Sequence, residues 1–262
     1  MSTPTSQPTA DDHALAAQLA SRAGELLVRL RAERTSVEGF DARALKDDGD
    51  RQAHDLLMGA LAERVDAGDA VLSEEGKDSE KRLSHERVWI VDPLDGTREF
   101  GEPPRSDWAV HVALAIAGVA VCGAVALPAD GLVLSTADPT LASTLPPPPD
   151  RPRLVVSRTR PPAAATFLAE ELDGELVALG SAGAKAMAVV RGEVEIYVHS
   201  GGQYEWDSCA PVAVALAAGL HCSRIDGSPL RYNQPDPYLP DLLICRPELA
   251  TKTLAALARF ED

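Results

Sequence analysis

The chain has 262 residues, 45% of them hydrophobic, enough for one large α/β domain or two closely packed halves with a sizeable core. A formal charge of −15 excludes general attraction to nucleic-acid polymers and anionic membrane surfaces, so a phosphorylated ligand needs local positive charge of the kind divalent cations supply. The scattered Cys122, Cys209, Cys222 and Cys245 form no zinc spacing and read as small buried residues, no run approaches the ~20 apolar residues of a bilayer span, and Met1–Asp12 lacks a secretory pattern, which together predict a soluble cytoplasmic protein.

Leu15, Leu19, Ala23, Leu26, Leu27 and Leu30 recur at spacings of three and four, which predicts an amphipathic helix over 12–33 opening after Asp11-Asp12. A second helix is predicted to follow Asp50 through Ala53, Leu57, Leu61 and Val65, leaving 34–49 as a polar, mobile connection. Ala70-Val71-Leu72 reads as a strand running into Ser73-Glu74-Glu75, and Val88–Val91 as a strand closed by Asp92-Pro93-Leu94-Asp95-Gly96-Thr97. The Val- and Ala-rich stretch Trp108–Val125, with Gly118 at a hairpin, and Val133–Thr136 build a sheet. Pro146–Pro149 cannot continue a helix or a central strand and places an internal boundary between halves 1–150 and 151–262. Beyond it come a strand at 154–157, a helix at 162–172, a strand at 176–179, a helix from Gly180-Ser181 through Val190 and a strand at 195–198. Asp207 then opens an alanine-rich helix that ends near Gly219. Alternating strand and helix favours a sheet covered by helices.

Chemistry concentrates at Trp89–Thr97. Asp92 and Asp95 are hard oxygen ligands three residues apart, and Pro93 and Gly96 turn the backbone so that both converge. N–H groups after the turn suit a phosphate, although an ordinary strand turn has the same composition. Ser73-Glu74-Glu75 and Trp206-Asp207-Ser208 add two more acidic sites at the ends of elements. Phosphate-ester hydrolysis uses such carboxylates to share two cations about 3.5–4 Å apart, which ionise water and neutralise phosphoryl oxygens.

In family order, Gly49-Asp50, S-E-E, W-I-V-D-P-L-D-G-T, G-S-x-x-x-K and W-D-S resemble the lithium-sensitive, magnesium-dependent phosphatase superfamily of inositol monophosphatases, fructose-1,6-bisphosphatases and bisphosphate nucleotidases. The likeness covers most of the chain. It implies an α/β, layered αβαβα fold of two packed sheet-containing halves, the first bearing most metal ligands and the second Asp207 and substrate-binding residues. It also implies two or three Mg²⁺ held by Glu74, Asp92, Asp95, Asp207 and the Leu94 carbonyl, with Asp92 bridging. Gly96 and Thr97 would offer N–H groups to the scissile phosphate, the Thr97 hydroxyl paired with Asp50 would orient the attacking water, and Glu75 would help order metal-bound water. The alternative for Asp50 is a helix N-cap.

The tail Arg98-Glu99-Phe100 is similar to the D-G-T-K-E-F of CysQ-type 3′(2′),5′-bisphosphate nucleotidases, whereas inositol monophosphatases typically show D-G-T-T-N-F. Ser181 and Lys185 resemble that branch's phosphate-binding G-S-x-K region, with an insertion before the lysine; their alternative is a helix-opening Ser and a solvated Lys. His199 and Glu205 fall along the corresponding approach, and Trp108 and Trp206 are expected to pack beside the site. The resemblance thus implies removal of the 3′-phosphate of adenosine 3′,5′-bisphosphate or its sulfated analogue, in sulfate assimilation, with lithium inhibition and a homodimer as family expectations. The alternatives are an inositol-1-phosphate or fructose-1,6-bisphosphate phosphatase, or a catalytically silent metal- or nucleotide-binding regulator.

Overall fold

The computed structural model describes residues 6–141 and 145–260. Residues 1–5 of the polar N-terminal stretch and 142–144 of the proline-rich connection, read above from sequence, lie outside the described residues.

Helix α1 (Ala10–Thr35) starts earlier than its apolar stripe because Thr9 and Asp12 form a capping box, with Asp12 Oδ2 accepting from the Thr9 N–H at 2.8 Å. Asp12 is buried there and pairs with Arg87 at 2.9 Å, so it anchors the helix instead of leading it. Helix α2 (Ala42–Asp66) is capped by Asp41, whose carboxylate accepts from the N–H groups of Arg43 and Ala44. Asp50 is therefore in the middle of α2. This corrects both its expected place at a helix start and the N-cap alternative, and it converts most of 34–49 from a mobile connection into helix.

The first sheet has the order β1 (Ala70–Ser73), β2 (Arg87–Asp95), β3 (Ala109–Ile116), β4 (Val119–Leu127) and β5 (Leu132–Ser135). Only β1 and β2 are parallel. Ala117 and Gly118 both take positive φ, 49° and 76°, which turns β3 tightly into β4. β2 runs beyond its predicted end: the register slips between the Asp92/His111 and Asp95/Ala109 pairs, so the acidic turn is an irregularity inside a strand.

The second sheet comprises β6 (Arg153–Ser157), β7 (Glu175–Leu179), β8 (Ile196–Tyr204), β9 (His221–Ser223) and β10 (Tyr238–Cys245) in the order β7-β6-β8-β10-β9. The other helices are α3 (Thr97–Phe100), α4 (Ala163–Glu171), α5 (Ala182–Val190), α6 (Glu205–Ala217) and α7 (Pro247–Leu257).

Strand periodicity assigns the layers. Trp89, Val91, Val110, Val112 and Leu114 face α1 and α2. Val88, Ile90, Ala109 and Ala113, one residue out of phase, face α5 and α6. That middle layer is closed on its other side by Tyr197, Leu242 and Ile244 of the second sheet, whose opposite face, with Val198 and Leu243, packs on α4 and α7. The architecture is αβαβα, and the N-termini of α5 and α6 open next to the end of β2. Cys122, Cys209 and Cys245 are buried and Cys222 is partly so.

Candidate active site

Three elements bring carboxylates to one point. One oxygen each of Asp92, Asp95 and Asp207 lies within 4.8 Å of the others. Asp92, buried on β2, accepts from the Leu94 N–H at 3.0 Å, which fixes the turn. Asp95 accepts from Ala182 N–H at 3.2 Å and Gly183 N–H at 2.6 Å, so the first turn of α5 anchors its charge. Asp207, in the first turn of α6, accepts from the Tyr204 N–H at 2.7 Å. Glu74 follows β1; its N–H bonds the Val91 carbonyl at 3.3 Å, and its carboxyl meets Asp92.

Crowding shows in the acidities. Burial, then the charges of Glu74 and Asp95, pushes Asp92 well above the usual carboxylate range. Asp207 is pushed up to about 7 by burial first and neighbouring carboxylates second; Glu74 is pushed up to about 7 by the crowding of protein around its carboxyl and the charges of Asp95, Glu75 and Asp50, although the residue as a whole is exposed. Asp95 goes the other way: burial opposes its charge, but His111, the Gly183 N–H and Lys185 outweigh it. An all-oxygen donor set that repels itself fits a hard divalent cation, and the residues present suit Mg²⁺.

Beside this cluster the Thr97 hydroxyl lies 3.1 Å from the Leu94 carbonyl and 3.4 Å from Asp50 Oδ1. It has one proton and can donate to only one of them at a time. Burial and the nearby charge of exposed Glu75 raise Asp50 to about 7. Gly96 adopts φ 83°, and a Cβ there would lie 2.8 Å from the Cβ of Ser181; only glycine satisfies both the dihedral and the space.

Other expected residues sit differently. Lys185 is buried and donates to the carbonyls of Gly180 and Ser181, the latter at 2.8 Å, so it is neither an exposed phosphate clamp nor a solvated Lys. The buried Ser181 hydroxyl caps α5 by accepting from Ala184 N–H at 2.9 Å. Glu205 is buried and occupied by backbone: its carboxylate accepts from the N–H groups of Asn233 at 2.6 Å and Gln234 at 2.7 Å. His199 is in mid-strand, facing Leu242, with Nε2 bonded to the Gly201 carbonyl at 2.6 Å; burial lowers it to about 4. Arg98 is exposed beside the turn. Trp108 is buried and edge-on to Phe100, and Trp206 stacks on Tyr204.

Sequence reasoning missed His111. It is fully buried between β3 and the α5/α6 layer, its Nδ1 3.0 Å from the Trp206 carbonyl and its Nε2 in an ion-pair contact of 3.1 Å with Asp95. Nδ1 must carry the proton toward a carbonyl, and Asp95 raises the imidazole against the opposing effect of burial. A Cβ on Gly183 would meet Nε2 at 2.2 Å, so the glycine two residues before Lys185 makes room for this ring.

The model of the inositol monophosphatase family matches residues 11–144 and 150–261. The chain belongs to that family. Within it, the chain is 54% identical over 258 residues to the 3′-phosphoadenosine 5′-phosphate phosphatase of Mycobacterium leprae, covering 94% of this chain and 93% of the relative. It is 31% identical over 238 residues to the 3′(2′),5′-bisphosphate nucleotidase CysQ of Shigella flexneri, covering 85% and 94%. Among solved structures of family members, CysQ from Bacteroides thetaiotaomicron superposes with a TM-score of 0.75 at 26% identity, covering 90% of this chain and 97% of that one.

Proposed function

We propose that this family member is a Mg²⁺-dependent phosphomonoesterase that hydrolyses the 3′-phosphate of adenosine 3′,5′-bisphosphate, releasing AMP and phosphate, and that it also accepts the sulfated analogue. The observation that carries the reaction class is the convergence of Asp92, Asp95 and Asp207 beside the Thr97–Asp50 pair. The nucleotide preference is supported by likeness to relatives named as 3′-phosphoadenosine 5′-phosphate phosphatases. Glu74, Asp92, Asp95, Asp207 and the Leu94 carbonyl would hold the metal. When bound, Mg²⁺ supplies charge neutralisation and a more acidic water.

The chain's own residues supply positioning. The Thr97 hydroxyl donates its one hydrogen bond to Asp50 or to the Leu94 carbonyl and keeps its proton, while its oxygen lone pairs accept from the attacking water and aim it at phosphorus. The left-handed Gly96 turns the following backbone toward that point. Asp95, tied to α5 and His111, keeps its orientation through the cycle. A cytoplasmic role in sulfate assimilation, lithium inhibition and a homodimer belong to the same proposal.

Phosphate release from adenosine 3′,5′-bisphosphate, inositol-1-phosphate and fructose-1,6-bisphosphate, each with Mg²⁺, tests it. The highest kcat/KM is expected for the nucleotide; a higher value for inositol phosphate refutes the preference, and no turnover of any of them refutes the enzyme.

A further inference from the structure

We propose that Arg82 and Asn233 are positioning residues for the metal site: reciprocal hydrogen bonds between them strap the loop that carries Glu74 to the start of the helix that carries Asp207. The inference rests on the metal-dependent reading above and deepens it, because it names what sets the relative placement of two proposed ligands that lie far apart in the chain.

Residues 74–86 connect β1 to β2 as an excursion in which Arg82 is the one buried residue, 3% exposed, while its apolar neighbour Leu83 is 37% exposed. The anchor of this excursion is therefore a guanidinium, a group that gains from burial only where directed bonds hold it. Three of its nitrogens are held. Nε and one terminal nitrogen donate to the two oxygens of Asp78, at 2.7 and 3.0 Å, which folds the segment after Glu74 onto the 3₁₀ turn Glu80–Ser84. The other terminal nitrogen crosses to Asn233 Oδ1 at 2.8 Å, and the Asn233 amide returns a bond to the Arg82 carbonyl at 3.2 Å.

Asn233 has a φ of 57°, a left-handed conformation that Asn adopts more readily than most side chains, and its N–H donates to Glu205 Oε2 at 2.6 Å. Glu205 is the first residue of α6, and the Pro237 carbonyl accepts from its N–H at 2.8 Å. A continuous path of hydrogen bonds thus runs through Asp78, Arg82, Asn233 and Glu205, with Glu74 four residues before its first member and Asp207 two residues after its last. A link bonded at both ends fixes direction as well as distance, and groups that orient metal ligands from behind change metal affinity by about 10–100-fold when they are removed.

The test is a cation titration of the full chain without substrate. Mn²⁺ is the probe, because it shares the preference of Mg²⁺ for carboxylate and carbonyl oxygen, and free Mn²⁺ is read by electron paramagnetic resonance. Arg82→Lys keeps the charge and loses the fork, while Asn233→Gly keeps the left-handed backbone and the N–H to Glu205 and loses the amide. Each is expected to raise the Kd for Mn²⁺ about tenfold, and the double variant no more than about twofold beyond either one, where independent effects would multiply to about a hundredfold. Arg246→Lys is the control: Arg246 is also 3% exposed and donates to an exposed acid, Glu248, at 3.0 Å, but it caps α7 and has no link to the acidic cluster, so its replacement should cost stability without moving the Kd. Urea unfolding shows which variants are folded; should Arg82→Lys not fold, Asn233→Gly, which removes no charge, carries the test alone. A Kd within about twofold of the wild type in folded Asn233→Gly, or a rise in Arg246→Lys equal to that in the strap variants, overturns the positioning role while the metal reading survives. A wild type that binds no Mn²⁺ overturns the metal reading, and the strap's role with it.

Discussion

Replacing Asp95 by Asn removes one negative charge and, because Ala182 and Gly183 donate to different oxygens of the carboxylate, also sets an amide NH₂ against one of those N–H groups. Turnover of Asp95→Asn is expected to fall by several orders of magnitude, with the protein still folded but destabilised by about 1–3 kcal/mol through a donor facing a donor. Phosphate-release assays and urea titration separate the two effects; near-normal activity would remove Asp95 from the metal site. His111, its partner, was hidden in sequence because a lone histidine in the run Ala109–Ile116 reads as core. Its phase was informative nonetheless: it alternates with Ala109 and Ala113, on the face that packs against α5 and α6. The burial of Lys185 had no such signal, since its carbonyl partners are created by the helix start itself.

Helix α6 presents Asp207 in its first turn, and Glu205 two positions earlier on the same turn ties it to the 233–234 loop. Glu205→Ala leaves two N–H groups without their acceptor and is expected to lose about 2–4 kcal/mol of stability, at about 1–2 kcal/mol per group, in denaturant unfolding. A loss below 0.5 kcal/mol, about the scale of an ordinary surface substitution, would show that water replaces the carboxylate. On β8, His199 has its folded value depressed to about 4 against 6.5 for the free side chain. Above 6.5 both states are neutral. As pH falls from 6.5 toward 4 the unfolded chain takes up a proton that the folded one refuses, so stability declines by up to about 1.4 kcal/mol per pH unit. Because the raised carboxylates Asp50, Glu74 and Asp207 act with the opposite sign in this window, the contribution is read as a difference: in urea unfolding at pH 7, 5.5 and 4.5 the stability of the wild type relative to His199→Asn should decline as pH falls. Helix α1 was legible from its apolar period, β3 from its Val- and Ala-rich composition with Gly118 at the hairpin, and α5 from its Gly180-Ser181 start. The start of α2 was not, because only Leu45 and Gly49 are buried before Ala53 and an exposed polar turn looks like a loop. Its one local marker was Asp41, a cap without an apolar stripe behind it.

Across the whole molecule the two sheets share α5 and α6 as a common filling, which explains why their individual strand patterns revealed the αβαβα layering only in outline. The boundary proposed near residue 150 falls between β5 and β6, but the middle core is built from both sides of it. The proposed metal site draws on the same arrangement, with Glu74, Asp92 and Asp95 from the first sheet's side and Asp207 from α6. Mg²⁺ that binds only the folded chain should therefore stabilise the entire molecule, by about 2.7 kcal/mol at a hundredfold excess over its Kd. Denaturation midpoints with Mg²⁺ and with EDTA measure this, and coincident midpoints would argue against a resident site. Every residue of β3 is buried, on both faces of a central strand. Its amide hydrogens should be among the last in the protein to exchange with deuterated solvent, at a rate set by global unfolding. The hydrogen bonds nearest Asp92 and Asp95 would then outlast those of the surface helices, so a molecule frayed at its periphery would still keep the framework of its catalytic centre intact.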